Sequence, residues 1–465
     1  MPSGCHICLD IPHGFCDKGV IMSTLRISKL VLLSLGSIAF AADPVITVSP
    51  DHPNGVYEAG EKVTWTVDVK GERTGLSALN YSVKKDGQVE VAKGQLDLTS
   101  GPATISASRE EPGALLARIE NPDKTNPKPL ALGGALVAPK KIEPSAPAPA
   151  DFDAFWQAKL KDLSSVPVNP VLEKVEGVKG AEGLDYYKVT LDNIRGTHVR
   201  GQLARPPQGD KFPAILVVQY AGVYPLQPWQ VTSHARSGWL ALNINAHDLP
   251  IDQSADFYKE QSAHALKDYI YQGSEDRETS YFLRMFLGCV RAVDYLTSRP
   301  DWDGKTLLVT GASQGGLQSF VTAGLCSKVT AVSALVPAGC DNYAPRANPP
   351  RAFGWPYWLS NWGPHDRDMK KVEKTAGYFD GINFAARIKC PTLIAVGLID
   401  ETSRPAGVTA AYNAIQSPDK ELLIMPFSNH HGDGGAQSAY FSRFSAWMKA
   451  LKAGQPVPPA GGSKL

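Results

Sequence analysis

At 465 residues the chain is too long for one typical domain, and its length predicts two or three. Its 47 basic and 46 acidic residues nearly balance, which argues against a nucleic-acid-binding protein and against a polybasic membrane surface. A hydrophobic content of 43% supports sizeable cores, while 42 Gly and 36 Pro predict many turns and at least one linker.

The N-terminal segment has the pattern of a leader. Met22 opens a positively charged stretch, residues 30–38 are apolar, and Ala39-Phe-Ala41 is a small-residue cleavage site. This pattern is typical of a secretory signal peptide over residues 22–41. Because such signals stand at the start of a chain, residues 1–21 are interpreted as a misassigned extension. The mature protein is expected to be secreted or periplasmic, starting near residue 42.

Three of the seven cysteines lie within residues 1–21, and the other four lie between residues 289 and 390. Cys5, Cys8 and Cys16, with two nearby histidines, could form a small metal site, but their irregular spacing disfavours it. The remaining four are compatible with buried free thiols or with one or two disulfides, which spacing cannot pair: Cys289, Cys326, Cys340 and Cys390. No apolar run is long enough to span a membrane.

Residues 42–137 contain short alternating segments separated by turn residues: 45–48, 62–69, 78–83, 103–106 and 114–119. Alternation of period two at this spacing predicts a small all-β, immunoglobulin-like sandwich. No cluster of chemically reactive side chains occurs there, so an accessory role is favoured, with glycan binding as the alternative. Residues 138–150 are rich in proline and predict a semi-rigid linker.

From residue 151 to residue 453, apolar strands alternate with helices, which predicts a doubly wound, mostly parallel sheet. Residues 186–191 and 198–204 are predicted to form an antiparallel opening pair. Further buried strands are expected near residues 214–220, 239–245, 306–312, 329–336, 392–397 and 422–426, with helices over 283–296 and 438–451. The glycine- and proline-rich residues 454–465 are expected to be a disordered tail.

One pentapeptide in this region indicates chemistry. Gly311-Ala-Ser-Gln-Gly315 lies between an apolar strand and a helix, which is the context of a nucleophile elbow with Ser313 at its tip. The sharp turn strains the serine backbone and leaves no room for side chains two residues away on either side. Ser313 is therefore the candidate nucleophile.

A serine nucleophile needs a base and an orienting acid, and on this scaffold they follow in the order acid, then histidine. Asp400 follows an apolar strand, and His430 follows the last one. Glu401 and His431 are rivals, but the residue nearer the strand end is generally better supported, so we predict Asp400 and His430. A metal site built on both histidines with Asp433 lacks regularly spaced ligands and is disfavoured.

Several motifs resemble the acetyl xylan esterase and cephalosporin C deacetylase family, carbohydrate esterase family seven of the α/β-hydrolases. The resemblance spans roughly residues 144–453 and rests on five segments: Asp151-Phe-Asp-Ala-Phe-Trp156, Val218-Gln-Tyr-Ala-Gly222, Gly311-Ala-Ser-Gln-Gly315, Leu398-Ile-Asp400 with Ala410-Ala-Tyr-Asn413, and Asn429-His-His-Gly432. It implies an α/β-hydrolase fold, a triad of Ser313, Asp400 and His430, and an oxyanion hole formed by the backbone amides of Val223 and Gln314.

Three departures from the family pattern stand out. The family's His-Glu pair is His430-His431, its Arg-Gly-Gln motif is replaced by Asn245-Ala-His-Asp-Leu-Pro250, and the usual tyrosine at the oxyanion position is Val223. A backbone donor tolerates the last change. Arg200-Gly-Gln202 lies in an earlier strand and is interpreted as coincidental.

Residues 341–380 form a long insertion between strands, with aromatic side chains at Trp355, Tyr357, Trp358 and Trp362. Such loops commonly cover an active site, and flat aromatic faces suit sugar rings. Core packing or a subunit contact explains the same residues equally well. The substrate-binding residues are therefore not identified.

Together these observations predict a secreted serine esterase that removes O-acetyl groups from xylan or related acetylated saccharides, without a metal or cofactor. Its partner is the saccharide; a homo-oligomer is possible. Two alternatives stay open: another carboxylester or glucuronoyl-ester hydrolase, and a glycan-binding protein whose hydrolase domain is inactive.

Overall fold

The computed structural model describes residues 45–73 and 75–459, which belong to one compact unit that extends over residues 43–465. The interpreted extension, the signal peptide and the three N-terminal cysteines lie outside the described residues. None of the described helices is both long and apolar enough to cross a membrane.

The N-terminal part is all β, as the alternating pattern predicts. Its strands form a three-stranded sheet of order β1-β3-β6 and a five-stranded sheet of order β2-β8-β7-β4-β5. The strands are β1 (Val45–Pro50), β2 (Val56–Tyr57), β3 (Val63–Lys70), β4 (Leu79–Lys85), β5 (Val89–Leu96), β6 (Ala103–Ala107), β7 (Gly113–Ile119) and β8 (Ala131–Val137). We call this part the β module; its immunoglobulin-like topology stays a prediction.

Alternation within the strands gives the β module a core of its own. Along β3, the side chains of Val63, Trp65 and Val67 are fully buried, while the intervening side chains are more exposed. They pack with side chains from the other sheet, including Val83 and Leu115. Burial of apolar side chains from both sheets is the main stabilising contribution here.

The second part is built on a nine-stranded sheet of order β17-β16-β15-β14-β12-β13-β11-β10-β9. Strands β12 to β17 are parallel to one another, and the predicted opening pair, β10 and β11, is antiparallel. The strands are β9 (Val171–Lys174), β10 (Asp185–Asp192), β11 (His198–Arg205), β12 (Phe212–Val218), β13 (Leu240–Ile244), β14 (Trp302–Ala312), β15 (Ala331–Leu335), β16 (Thr392–Gly397) and β17 (Lys420–Met425).

Helices cover both faces of this sheet because alternate strand residues are apolar on both sides. Leu307 and Val309 of β14 pack with side chains of α1, α4, α5, α7 and α8, whereas Leu308 packs with those of α2 and α9. The helices are α1 (Phe152–Ser164), α2 (Trp229–Arg236), α3 (Ala255–Ala263), α4 (Tyr281–Ser298), α5 (Gln314–Leu325), α6 (Met369–Ala376), α7 (Gly381–Ala385), α8 (Pro405–Ala414) and α9 (Ser438–Lys452). The prediction of an α/β sheet is confirmed, and the fold is α/β-hydrolase-like.

The proline-rich segment between the two parts lies against the part built on the nine-stranded sheet. Ile142 is buried in the main core, and the side chain of Asn413 donates hydrogen bonds to the carbonyls of Pro139 and Ile142 at 2.8 and 2.9 Å. Ser145 donates its hydroxyl to Asp341 at 2.8 Å. The segment is thus fixed along its length, while the predicted domain boundaries around it stay predictions.

Candidate active site

The elbow has the geometry that its sequence predicts. Ser313 stands between β14 and α5 with φ of +57° and ψ of −119°, a strained conformation for a residue with a side chain. Its amide donates to the carbonyl of Leu335 at 2.9 Å, and its carbonyl accepts from Ala338 and Leu317 at 3.0 and 3.1 Å. These three bonds hold the strained turn in place.

The flanking glycines are required by close backbone contacts. A Cβ atom at Gly311 would lie 2.6 Å from the carbonyl carbon and oxygen of Gly315, and one at Gly315 would lie 2.6 Å from the carbonyl oxygen of Val218. Because these neighbours are backbone atoms, they could not move aside cheaply. The elbow therefore packs tightly against the end of β12.

His430 bridges the other two predicted triad residues. Its Nε2 lies 2.8 Å from Ser313 Oγ, and its Nδ1 lies 2.8 Å from Asp400 Oδ2. An ionised carboxylate only accepts, so Nδ1 carries the proton and Nε2 is free to accept one from the serine hydroxyl. This is the protonation pattern that a serine nucleophile needs from its base.

The carboxyl group of Asp400 is fully buried and held on both oxygens. Oδ1 accepts hydrogen bonds from the amides of Thr402 and Ser403, both at 2.8 Å, while Oδ2 faces His430. These amides come from the loop that carries Asp400, residues 398–404, which we call the acid loop. The loop itself thus orients the carboxylate toward the imidazole.

The rival residues are engaged elsewhere. Glu401 accepts a hydrogen bond from Arg118 of the β module at 2.6 Å, and His431 is exposed and contacts His430 edge to face at 5.5 Å. Asp433 accepts from the side chain of Asn429 at 2.6 Å. Within the described ranges, no three His, Cys, Asp or Glu residues are arranged to hold a metal ion.

The loop after β12, residues 219–223, carries the predicted oxyanion donor Val223, and we call it the oxyanion loop. It is tied to α5 through the carbonyl of Gln219, which accepts from Gln318 at 2.8 Å and from the Gln314 side chain at 3.4 Å. Gln314 begins α5, so its backbone amide has no partner within the helix. Such an amide, at the positive end of a helix dipole, suits a developing negative charge.

The acid loop also packs directly against the β module. A Cβ atom at Gly134 of β8 would lie 2.2 Å from the carbonyl oxygen of Leu398, and one at Gly55 would lie 2.5 Å from the Leu398 side chain. The carbonyl of Asp86 accepts the amide of Ala352 at 3.0 Å. Together with the Arg118–Glu401 ion pair, the contacts at Leu398 place the β module directly against the loop that carries Asp400.

The aromatic insertion is partly core. Trp355 and Trp358 are buried and contact the ring of Phe282, with centroids 5.7 and 5.0 Å apart. Trp362 differs: it is 66% exposed and lies against Phe353 and Tyr357. It borders an open groove of about 700 Å³. Core packing thus accounts for two of the four aromatic side chains that sequence left undecided.

All four cysteines of the described chain are free, so no disulfide forms among them. Burial raises the pKa of the Cys289 and Cys390 thiols to about 12, which makes both unreactive at neutral pH. They behave as small apolar side chains.

The comparison with protein families is decisive for the class of this protein. The acetyl xylan esterase (AXE1) family profile matches residues 135–448, well over half of the chain. The chain belongs to the acetyl xylan esterase family. It is therefore an enzyme of the carboxylic ester hydrolase class.

Individual relatives agree with this membership. Acetyl esterase Axe7A from Xylanibacter ruminicola is 32% identical over 427 residues, covering 88% of this chain and 94% of the relative. Residues 138–465 alone could not supply 88% of the chain, so the similarity to this esterase extends into the β module.

Two solved acetyl xylan esterases share the fold. The enzyme from Paenibacillus sp. R4 is 26% identical with a TM-score of 0.56, covering 66% of this chain and 98% of its own. The enzyme from Thermoanaerobacterium sp. JW/SL YS485 is 23% identical with a TM-score of 0.56, covering 67% of this chain and 97% of its own.

The groups that hold these two loops were not predicted from the sequence. Arg118 and Gly134 lie in the β module, where no chemistry is visible in the sequence. Tyr269, Tyr281 and Arg284 lie around the oxyanion loop; of these, only the spacing of Tyr281 and Arg284 by three residues on one helix face is a detectable signal.

Proposed function

We propose that this enzyme is a secreted serine esterase that removes O-acetyl groups from xylan or related acetylated saccharides through an acetyl-enzyme. The observation that carries the proposal is the position of the His430 imidazole, within 2.8 Å of both Ser313 Oγ and Asp400 Oδ2. Membership in the acetyl xylan esterase family supports the substrate class.

The first half of the reaction forms the acetyl-enzyme. His430 Nε2 takes the proton from Ser313 Oγ as the oxygen attacks the acetyl carbonyl carbon. The negative charge that develops on the carbonyl oxygen is stabilised by the backbone amides of Val223 and Gln314. The tetrahedral intermediate then collapses, and His430 returns the proton to the departing sugar oxygen.

The second half releases acetate. Water attacks the acetyl-enzyme while His430 accepts its proton, and the same two amides stabilise the second tetrahedral intermediate. Collapse of that intermediate breaks the bond to Ser313, which regains its proton from His430. Asp400 holds the imidazole tautomer throughout and stabilises the imidazolium. The scheme needs only side chains and amides of this chain.

The test compares residues 42–465 with the Ser313→Ala variant for acetate release. The substrates are acetylated xylan, acetylated xylo-oligosaccharides, acetylated mannan and a small activated acetate ester. We expect release that falls at least about 10⁴-fold in the variant. A methyl glucuronate ester in the same panel identifies a glucuronoyl-ester hydrolase. No release from any ester would contradict the proposal and favour a glycan-binding protein.

The proposed secretion rests on the signal pattern over residues 22–41. N-terminal sequencing of protein exported by a bacterial host checks it, with a first residue near 42 expected. A homo-oligomer stays a prediction.

A further inference from the structure

His247 is a buried histidine outside the triad, in the segment that replaces the family's Arg-Gly-Gln motif. It is 1% exposed, with Nε2 3.0 Å from the carbonyl oxygen of Gly222 and Nδ1 2.6 Å from the hydroxyl of Tyr281. A carbonyl oxygen only accepts, so Nε2 carries the proton and donates it. Nδ1 must then accept from the Tyr281 hydroxyl.

Arg284 fixes the direction of this chain of hydrogen bonds. Its Nη2 donates to the Tyr281 hydroxyl oxygen and to the carbonyl of Ala246, both at 2.8 Å. Guanidinium groups only donate, so Tyr281 accepts from Arg284 and donates its own proton to His247. Burial lowers the pKa of His247 to about 4, which keeps the ring neutral at neutral pH, as this pattern requires.

The bond from His247 controls a backbone amide because Gly222 C=O and Val223 N–H belong to the same peptide unit. A trans peptide is planar, and its C=O and N–H point in opposite directions. With the carbonyl directed at His247, the amide of Val223 must point away from His247. The orientation of the proposed oxyanion donor is therefore set through the opposite end of its own peptide bond.

The side chain of Tyr269 also holds Gly222, and it contacts Gln314, the residue of the other proposed oxyanion donor. The amide of Gly222 donates to the hydroxyl of Tyr269 at 3.3 Å, and that hydroxyl donates to Gln314 Oε1 at 2.6 Å. The rings of Tyr269 and His247 also contact each other edge to face at 4.8 Å. Gly222 has φ of +123°, a conformation that side chains disfavour, so these bonds maintain a specific turn.

We propose that His247 is a positioning residue for the oxyanion hole, fixing the Val223 amide through the Gly222 carbonyl, with Tyr281 and Arg284 holding its tautomer. The inference rests on the proposed function of the same site. It also gives a role to residues 245–250, which depart from the family pattern. The His247 imidazole in this segment holds the oxyanion loop from the side opposite to the proposed substrate position.

The test uses three variants with the small activated acetate ester, so it does not depend on the polysaccharide. His247→Leu removes both bonds; we expect kcat to fall about 10- to 100-fold with KM within about threefold, since removal of one oxyanion donor outright costs about 10²- to 10³-fold. His247→Gln can donate to Gly222 and accept from Tyr281, and we expect it to restore kcat to within about tenfold of wild type. Tyr281→Phe, which keeps the imidazole, should give an intermediate loss even if His247→Leu does not fold.

The matched control is His234→Leu, a histidine on α2 that contacts Phe444 and lies outside the site; its kcat should not change. A boronic acid that forms a tetrahedral adduct with Ser313 supplies an independent measurement, and His247→Leu should weaken its binding about as much as it lowers kcat. Unchanged kcat and boronate affinity in His247→Leu, or no recovery in His247→Gln, would overturn the proposal. Loss of activity in Ser313→Ala with full activity in His247→Leu would refute this inference alone; full activity in Ser313→Ala would refute the proposed function.

Discussion

The acid loop and the oxyanion loop follow strands of the same sheet but are held in different ways. The oxyanion loop is fixed from within the hydrolase part by buried side chains, chiefly those of His247 and Tyr269. The acid loop is held by its own amides, by hydrogen bonds within the same part, such as Ser403 Oγ to the Val336 carbonyl at 2.8 Å, and in addition by the β module through Gly134 and Arg118. Of the two loops, the acid loop is therefore the one that also contacts a distant part of the sequence.

This difference suggests a physical role for the β module, in whose sequence no cluster of reactive side chains occurs. The bond from His430 to Asp400 is useful only if the carboxylate stays in place, and a displacement of about 1 Å can cost about 10²-fold in rate. The β module contacts the acid loop at Leu398 and Glu401, the residues two before and one after Asp400. Its inclusion in the region similar to the Xylanibacter ruminicola esterase is consistent with such a role.

The largest expected effect separates two neighbours on the acid loop. Asp400→Asn replaces the acceptor of the His430 Nδ1 proton, and we expect kcat to fall about 10³- to 10⁴-fold because the imidazole takes the wrong tautomer. Glu401→Gln, the matched control, weakens a partly exposed ion pair worth at most about 1 kcal/mol and should change kcat only a few-fold. Steady-state kinetics on a small acetate ester measures both. Equal losses in the two variants would show that the acid has been misassigned.

The next effect tests the contact between β8 of the β module and the acid loop, using two adjacent glycines of β8. A Cβ atom at Gly134 would meet the backbone of Leu398, whereas one at Gly133 would meet the side chains of Val48 and Trp65 inside the β module. Gly134→Ala should therefore lower kcat about 10- to 100-fold by displacing Asp400. Gly133→Ala should destabilise the module by about 1–3 kcal/mol with a smaller loss of kcat.

Kinetics and thermal unfolding of the two glycine variants distinguish these effects. If Gly133→Ala lowers kcat as much as Gly134→Ala at equal stability, the acid loop does not depend on direct contact with β8.

The smallest effect concerns the pH dependence of stability and involves two buried histidines, His247 beside the oxyanion loop and His234 on α2. Burial lowers the pKa of His247 and of His234 to about 4, below the ordinary value of 6.5. The unfolded chain therefore binds more protons than the folded one between pH 6.5 and pH 4, and stability falls as the pH falls through that window. Between pH 7 and pH 5.5 we expect a loss of about 1 kcal/mol per histidine.

Urea denaturation of wild type and of His234→Leu at the two pH values measures this loss. Asp380, whose pKa burial raises to about 7, titrates in the same window with the opposite sign, so the comparison is made between the two proteins. The free energy of unfolding of His234→Leu relative to wild type should rise by about 1 kcal/mol from pH 7 to pH 5.5. An equal pH dependence in the two proteins would mean that it arises from other groups.

The sequence was sufficient for the family, the parallel sheet and the strand–turn–helix of the elbow, because these depend on local apolar patterns and on short motifs. Strands β2, β5, β8 and β9 were missed for physical reasons; β2 has only two residues. β5 and β9 are largely exposed and carry little apolar alternation, and β8 contains Gly133 and Gly134, which in a single sequence favour a turn. The contacts that require those glycines lie 85 and 264 positions away, at Val48 and Leu398.

The site shows the same division. Strand ends and chain order were enough to select three residues that the structure brings within hydrogen-bonding distance, Ser313, Asp400 and His430, although their catalytic roles stay predictions. The positions of Tyr269, Tyr281 and Arg284 depend on how separate loops meet above the sheet, and no local pattern encodes that. His247 was noticed only as a departure, since its proposed role depends on a carbonyl 25 residues earlier.

The proline-rich segment has a consequence for how the enzyme meets a polymer. Modules joined by a free linker raise the effective concentration of a catalytic site over the whole volume that the linker can sweep. Here Asn413 holds two carbonyls of the segment, so the β module has a fixed distance and direction from Ser313. If the module bound a glycan, the sugar residue presented to Ser313 would lie at one fixed distance along the polysaccharide from the bound residue.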